Sequence, residues 1–193
     1  MILDRDHNLA FLHVPKAAGS TVWTTLMGYP TAHPLGSDGV EEHPTLGRVD
    51  LAHPTLKQLE VGHPGVYAFV RAARSYAVIR DPFDRFASSL AQRMRMYGEV
   101  PLELASRSQA LAVLDAALER IAVPLAPDEA LPHDWIHFQP QVSYTHQRGE
   151  RVVKVIGTVG NLDVFFEHLL CQYVAPPAHG GRRGRSFRVN ASS

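Results

Sequence analysis

A single cysteine in 193 residues excludes an intramolecular disulfide framework, so no covalent cross-link sets this fold. Cys171 lies in the apolar run from Val164 to Val174, which predicts a buried structural thiol rather than a nucleophile. Net charge is missing as well, because nineteen basic residues balance nineteen acidic ones. Without a global positive field there is no signature of nucleic-acid binding, and any selectivity for anions has to be local. Neither end carries a signal-peptide pattern, and no apolar segment reaches the ~20 residues that span a bilayer. The expectation is a soluble, cytoplasmic protein with no membrane partner. No Gly-Lys-Ser/Thr sequence occurs anywhere, which weakens an ATPase or GTPase reading.

What the chain does have is a strand, a small-residue loop and a helix start in immediate succession. Ala10 to Val14 reads as a buried strand and Thr21 to Met27 as a helix, with Pro15-Lys16-Ala17-Ala18-Gly19-Ser20 between them. Gly19 permits close approach of a ligand, and Ser20 and Thr21 place hydroxyls at the helix N-terminus. Free amides and the positive end of the helix dipole converge there, so a phosphate or sulfate oxygen would be held, with Lys16 adding a full charge.

A second such unit follows. Tyr76 to Ile79 is an apolar strand ending in Arg80, and Asp81-Pro82 is a helix start, with Asp81 as N-cap and Pro82 at the first helical position. Phe83, Phe86, Ala87 and Leu90 recur at helical spacing and predict the buried face of a helix reaching about Tyr97. Arg80 and Ser88 are then free to face the crevice beyond the strand ends, where open α/β sheets bind ligands.

The rest of the chain completes an α/β pattern. From Gly28 to about Gly65 it is rich in Pro, Gly and His, and His33-Pro34, His43-Pro44, His53-Pro54 and His63-Pro64 recur every ten residues. Histidines ten apart match no established metal-ligand spacing, so turns and helix starts are expected there and no metal. A helical stretch opens after Pro101, with Leu104, Leu111, Leu114, Ala117, Leu118 and Ile121 as a core stripe. Pro124 to Pro132 reads as a loop, Val152 to Ile156 as a strand, and Asn161 to Val174 as a helix. Alternating strands and helices predict a mostly parallel sheet flanked by helices. With 45% hydrophobic residues the chain can build a real core, read as one domain over 1–193 with a basic, loop-like segment from about Pro176.

Together the two loop-helix units resemble the sulfotransferases that use 3'-phosphoadenosine 5'-phosphosulfate, most closely the carbohydrate branch. That family holds the 5'-phosphosulfate in a Pro-Lys-Thr-Ala-Gly-Thr-type loop, matched here by Pro15 to Thr21 with alanine at 17 where a hydroxyl residue is common. Its 3'-phosphate element, Arg-Asp-Pro…Arg…Ser, is matched by Arg80, Asp81, Pro82, Arg85 and Ser88. Weaker similarity runs through Phe138-Gln139-Pro140-Gln141 and the Asn190-Ala191-Ser192 ending. The resemblance implies a P-loop-like, three-layer domain and sulfuryl transfer from that donor to a carbohydrate or small-molecule acceptor without a metal. Cofactor contacts are implied at Lys16, Ala18, Gly19, Ser20, Thr21, Arg80, Ser88, Arg188 and Asn190.

Sulfuryl transfer needs an aligned acceptor, a proton acceptor and charge stabilisation on the leaving oxygen. Lys16 is placed for the last. For the base, position favours His53, between the strand-like Val49-Asp50-Leu51 and a short helix opened by Pro54, and the carbohydrate branch has a histidine at a similar place. His43 and His63 are rivals. A nucleotide or small-molecule kinase, or a non-catalytic module binding the same nucleotide, are the alternatives in other functional classes. The stretch with Arg182, Arg183, Arg185 and Arg188 is either a solvated tail or a segment that orders over the nucleotide.

Overall fold

Two short strands whose alternate residues are buried on opposite faces organise the molecule. In β2 (Leu9–Leu12) the side chains of Ala10 and Leu12 enter one apolar cluster while Leu9 and Phe11 enter another. In β6 (Arg74–Ile79) Ala77 joins the first cluster, and Tyr76 and Val78 the second. A sheet that is apolar on both faces must be covered on both. Two helices, α2 (Leu56–Gly62) and α3 (Pro64–Ala72), cover one face through Leu56, Leu59 and Val70. The other is covered by α1 (Gly19–Leu26) and α7 (Leu162–Val174) through Val22, Leu26, Phe165 and Leu169. In this computed structural model residues 1–36, 39–98, 100–122 and 129–174 are described.

The five-stranded sheet has the order β3-β1-β2-β6-β9, with β1 at Ile2–Asp4, β3 at Ala32–Pro34 and β9 at Val155–Thr158. β2, β6 and β9 are parallel, with Leu12 opposite Ala77 and Tyr76 opposite Val155. β1 runs antiparallel to both its neighbours, so it alone points the other way. The sheet is therefore mostly parallel, with β1 the exception, an N-terminal strand that the sequence reading did not anticipate. Two hairpins lie outside it: β4 (Val40–His43) with β5 (Gly47–Asp50), and β7 (His146–Gln147) with β8 (Glu150–Arg151). Because β2 and β6 are adjacent and parallel, the loops that leave their C-terminal ends emerge on the same edge of the sheet.

The remaining helices are α4 (Pro82–Tyr97), α5 (Arg107–Ile121) and α6 (Val142–Thr145). Asp81 caps α4 by accepting from the Phe83 and Asp84 amides at 2.9 and 3.1 Å, as the sequence implies. Its buried face differs from expectation, being Arg85, Ser89, Leu90 and Met94, while Phe83 is 84% exposed and Ala87 is exposed. The helix turns toward a polar anchor, described below, rather than toward the sheet. The stripe after Pro101 also departs from a core: Leu104, Leu111 and Leu118 are exposed, and Leu104 lies in a separate turn. Of that stripe only Ala117 is buried, with Leu114 and Ile121 packed on a small cluster around Leu90, Leu131 and Phe138, because α5 packs against α4 rather than against a sheet among the described residues. Cys171 is exposed, since α7 buries Phe165 and Leu169 on its other side. Thr55, not Pro54, starts α2, through a capping box with Gln58, so that helix begins at Leu56.

Candidate active site

The chain leaves β2 through an unusual loop. Positive φ angles fall on Lys16 (62°) and Ala18 (58°), residues for which the left-handed region costs roughly 1 kcal/mol each. Gly19, the residue expected to need backbone freedom, is instead the first helical residue of α1. Its lack of a side chain serves another purpose, since a Cβ there would lie 1.8 Å from Cδ2 of His13. Ala17 is fully buried in the core, so the alanine at this position packs the loop onto the sheet. At the N-cap, Ala18 provides no side-chain acceptor, and the first turn of α1 holds no acidic residue. The Thr21 amide already donates to the Ala18 carbonyl at 3.1 Å, which leaves the Gly19 and Ser20 amides at the start of the helix for an anion. Ser20 and Thr21 are both exposed beside them.

A polar cavity of about 190 Å³ opens on this loop, lined by His13, Lys16, Ala18, Gly19, Ser20, His53, Gln92 and His137. Of the residues expected at the site, the fold thus gathers Lys16, Ala18, Gly19, Ser20 and His53 around one space. Thr21, Arg80 and Ser88 lie outside its lining, and Arg188 and Asn190 lie outside the described residues, as do Arg182, Arg183 and Arg185. Lys16 Nζ donates to Gln92 Oε1 at 3.3 Å. Burial lowers the Lys16 ammonium from its ordinary value, and the Arg95 and Arg80 guanidiniums lower it further. Three cations therefore share this end of the sheet, an arrangement that favours a multiply charged anion. Arg80 is weakly tied, its Nη2 3.9 Å from Asp84 Oδ2, while its backbone is fixed by Gln141. Gln141 accepts from the Arg80 amide at 2.9 Å and donates to its carbonyl at 2.8 Å, as a neighbouring strand would.

His53 reaches the cavity from the turn after β5. Its Nδ1 lies 3.0 Å from Asp50 Oδ2, and Asp50 Oδ1 accepts from the Ala52 amide at 2.8 Å. A carboxylate can only accept, so Asp50 holds a ring proton on Nδ1, and the neutral form of the ring so held has its lone pair on Nε2. Burial raises the Asp50 carboxyl, but the hydrogen bonds it accepts from His53 and from the Ala52 amide outweigh that and hold the group below its ordinary value. The carboxylate is therefore ionised and orients the ring. The rivals sit elsewhere: His63 Nε2 pairs with Glu41 at 3.0 Å, and His43 Nδ1 accepts from the Thr45 and Leu46 amides in the hairpin turn.

Three cavity residues escaped the sequence reading. The His13 ring packs 4.3 Å from that of His53, and its Nδ1 is buried without a hydrogen-bond partner among the described residues. Burial first, and the nearby His53 second, push His13 down to about 2, so it is neutral. His137 lies in a 3-10 turn (His133–Phe138), its ring 6.0 Å from that of His53. Burial, then His53 and Lys16, push it to about 4. Gln92 could have been found, because Ser88, Gln92 and Arg95 recur at i, i+4 and i+7 as a polar stripe on α4. His137 carried no such pattern, though it immediately precedes Phe138-Gln139-Pro140-Gln141.

That segment is held by buried groups. The Arg85 guanidinium, which makes no ion pair among the described residues, donates to the carbonyls of Pro15 (3.4 Å), His137 (3.0 Å) and Gln139 (2.8 Å). Gln139, fully buried, accepts from the Leu131 amide at 2.6 Å and donates to Glu129 O and Ser143 Oγ. One helix thus fixes both the anion loop and the turn opposite it.

Comparison with known proteins decides the family. A model described as the sulfotransferase family, of the family 2 type, matches residues 1–97, just over half of the chain. The chain belongs to the sulfotransferase family. No curated protein and no solved structure gives a match. In this sulfotransferase the matched region runs from β1 through α4, and so contains the Lys16 loop, His53, Arg80 and Ser88. His137 lies beyond it. Among the described residues no group of three or more His, Cys, Asp or Glu side chains is placed to hold a metal, and no helix is long and apolar enough to cross a membrane.

Proposed function

We propose that this sulfotransferase moves a sulfuryl group from 3'-phosphoadenosine 5'-phosphosulfate to a hydroxyl or amine of a carbohydrate or small-metabolite acceptor, using a P-loop-like α/β domain and no metal. The observation that carries this reading is convergence. The uncapped α1 terminus with Lys16 follows β2, Arg80 ends the adjacent parallel β6, and His53 is brought to the same loop from β5. The residues fit an anion with two phosphate-bearing ends, because Lys16, Arg80 and Arg95 concentrate charge where a Walker loop would supply one site.

When bound, the donor supplies a sulfuryl group whose bond to the phosphate oxygen breaks as the acceptor oxygen bonds to sulfur, the electron pair leaving with the phosphate. Lys16 and the α1 amides stabilise the charge that develops on that side. His53, its Nδ1 proton held by Asp50, takes the acceptor proton on Nε2. Arg80 and Ser88 bind the 3'-phosphate, and Arg188 and Asn190 complete the nucleotide contacts.

The test is calorimetry with the desulfated nucleotide, 3'-phosphoadenosine 5'-phosphate, against ATP with magnesium. Clear preference for the former is expected, and equal or better ATP binding would replace this reading with a kinase. His53→Ala separates an enzyme from a binding module: nucleotide affinity should hold while sulfuryl transfer to a panel of carbohydrate acceptors disappears. If the native chain binds the nucleotide but sulfates none of them, the binding-module reading stands.

A further inference from the structure

We propose that His137 is a second histidine of the transfer site, a hydrogen-bond donor to the sulfuryl oxygens, acting between Lys16 and His53. The inference rests on the sulfuryl-transfer reading above. His137 lines the same cavity as both residues, with its ring nearly perpendicular to that of His53 at 68°. Its main chain is fixed tightly, the carbonyl accepting from Arg85 Nη1 at 3.0 Å and Ser89 Oγ at 2.7 Å. Those bonds use the backbone alone. The ring makes no hydrogen bond to another described residue, yet it is held in place at the wall of a polar cavity.

Location and protonation then suggest the role. His53 marks the side from which the acceptor must approach, and Lys16 the side to which the phosphate departs. A group near both faces the atom that passes between them. The ring is neutral, because burial, His53 and Lys16 all oppose a proton there. A neutral imidazole still carries one N–H, which can bind an oxygen without placing another cation against Lys16. The charge of a sulfuryl group in flight is spread over its non-bridging oxygens, so a fixed dipole aimed at them is the useful kind of stabilisation.

The experiment measures affinity for the sulfated donor and for its desulfated product, separately and without acceptor, by calorimetry. His137→Phe keeps a ring of similar size and the backbone carbonyl that Arg85 and Ser89 use, but removes the N–H. It should weaken the sulfated nucleotide about tenfold more than the desulfated one, the loss expected for one hydrogen bond to a charged group. His137→Gln retains a neutral donor and should recover most of the difference. Equal losses for both nucleotides, no loss for either, or failure of His137→Gln to recover selectivity would each overturn the proposal. Should His137→Phe fail to fold, His137→Ala gives the same comparison with the carbonyl intact. A native chain that binds neither nucleotide overturns the sulfotransfer reading itself, and this inference with it.

Discussion

Arg85 lies in the segment that resembles the family's 3'-phosphate element, but its geometry assigns it to the fold. Arg85→Leu removes the donor to Gln139 O at 2.8 Å and the longer contact to Pro15 O at 3.4 Å. The His137 carbonyl keeps Ser89 Oγ at 2.7 Å, so it is not orphaned. A buried carbonyl left without a donor costs about 1–3 kcal/mol, and two of unequal strength suggest a loss of roughly 3–4 kcal/mol. Burial already lowers the guanidinium pKa, so removing the charge recovers part of its desolvation cost and brings the net to about 2–3 kcal/mol. For a chain of this size that is a fall in melting temperature of roughly 5–10 °C. Arg85→Lys should rescue little, because a single ammonium cannot meet carbonyls that diverge as these do. Thermal unfolding followed by circular dichroism, without nucleotide, reads the effect directly. A melting point within a degree of the native value would refute the anchor. So would full rescue by lysine.

Arg80→Ala should leave stability unchanged, since its exposed contact with Asp84 is 3.9 Å long and its backbone is held by Gln141. It should weaken 3'-phosphoadenosine 5'-phosphate about tenfold or more while barely affecting adenosine 5'-phosphate, and equal losses for the two would make Arg80 structural. Acid should destabilise the protein through His13 and His137, held near 2 and near 4 against an ordinary value of about 6.5. Both folded values are depressed, so the unfolded chain takes up protons first. The stability is whole above about pH 6.5 and is lost as pH falls toward the folded values, by about 2 kcal/mol per histidine at pH 5. Urea unfolding at pH 7.5 and pH 5 measures this, and His137→Gln should reduce the difference by about 2 kcal/mol, one ring's share beside His13 and the buried Met1 amino group, itself pushed down to about 5; identical stability at both pH values would contradict the burial of these rings.

Local signals in the chain determined most of what surrounds the anion loop. Asp81-Pro82 announced a helix through capping chemistry that involves only neighbouring residues, and the apolar runs at Ala10 and Tyr76 announced buried strands for the same reason. The Lys16 loop could be read because it is one contiguous segment, whereas Arg80 and Ser88, chosen by the same kind of signal, lie outside the lining of the cavity it opens on. His53 was legible from its place after a strand and before a helix, although its carboxylate partner was not.

Tertiary structure decided everything that depended on which surface meets which. Apolar spacing alone pointed Phe83 inward, but Arg85 finds backbone carbonyls there, and a buried guanidinium with acceptors turns the helix the other way. Leu111 and Cys171 look like core in sequence and are exposed because, among the described residues, no second layer covers their sides. His13 and His137 have no motif, since their roles come from contacts with His53, a residue distant from both in the chain. Hydrophobic period and capping are properties of a segment. Burial, neutrality and the meeting of three histidines beside one lysine are properties of the packed molecule, and they exist only once the segments are brought together.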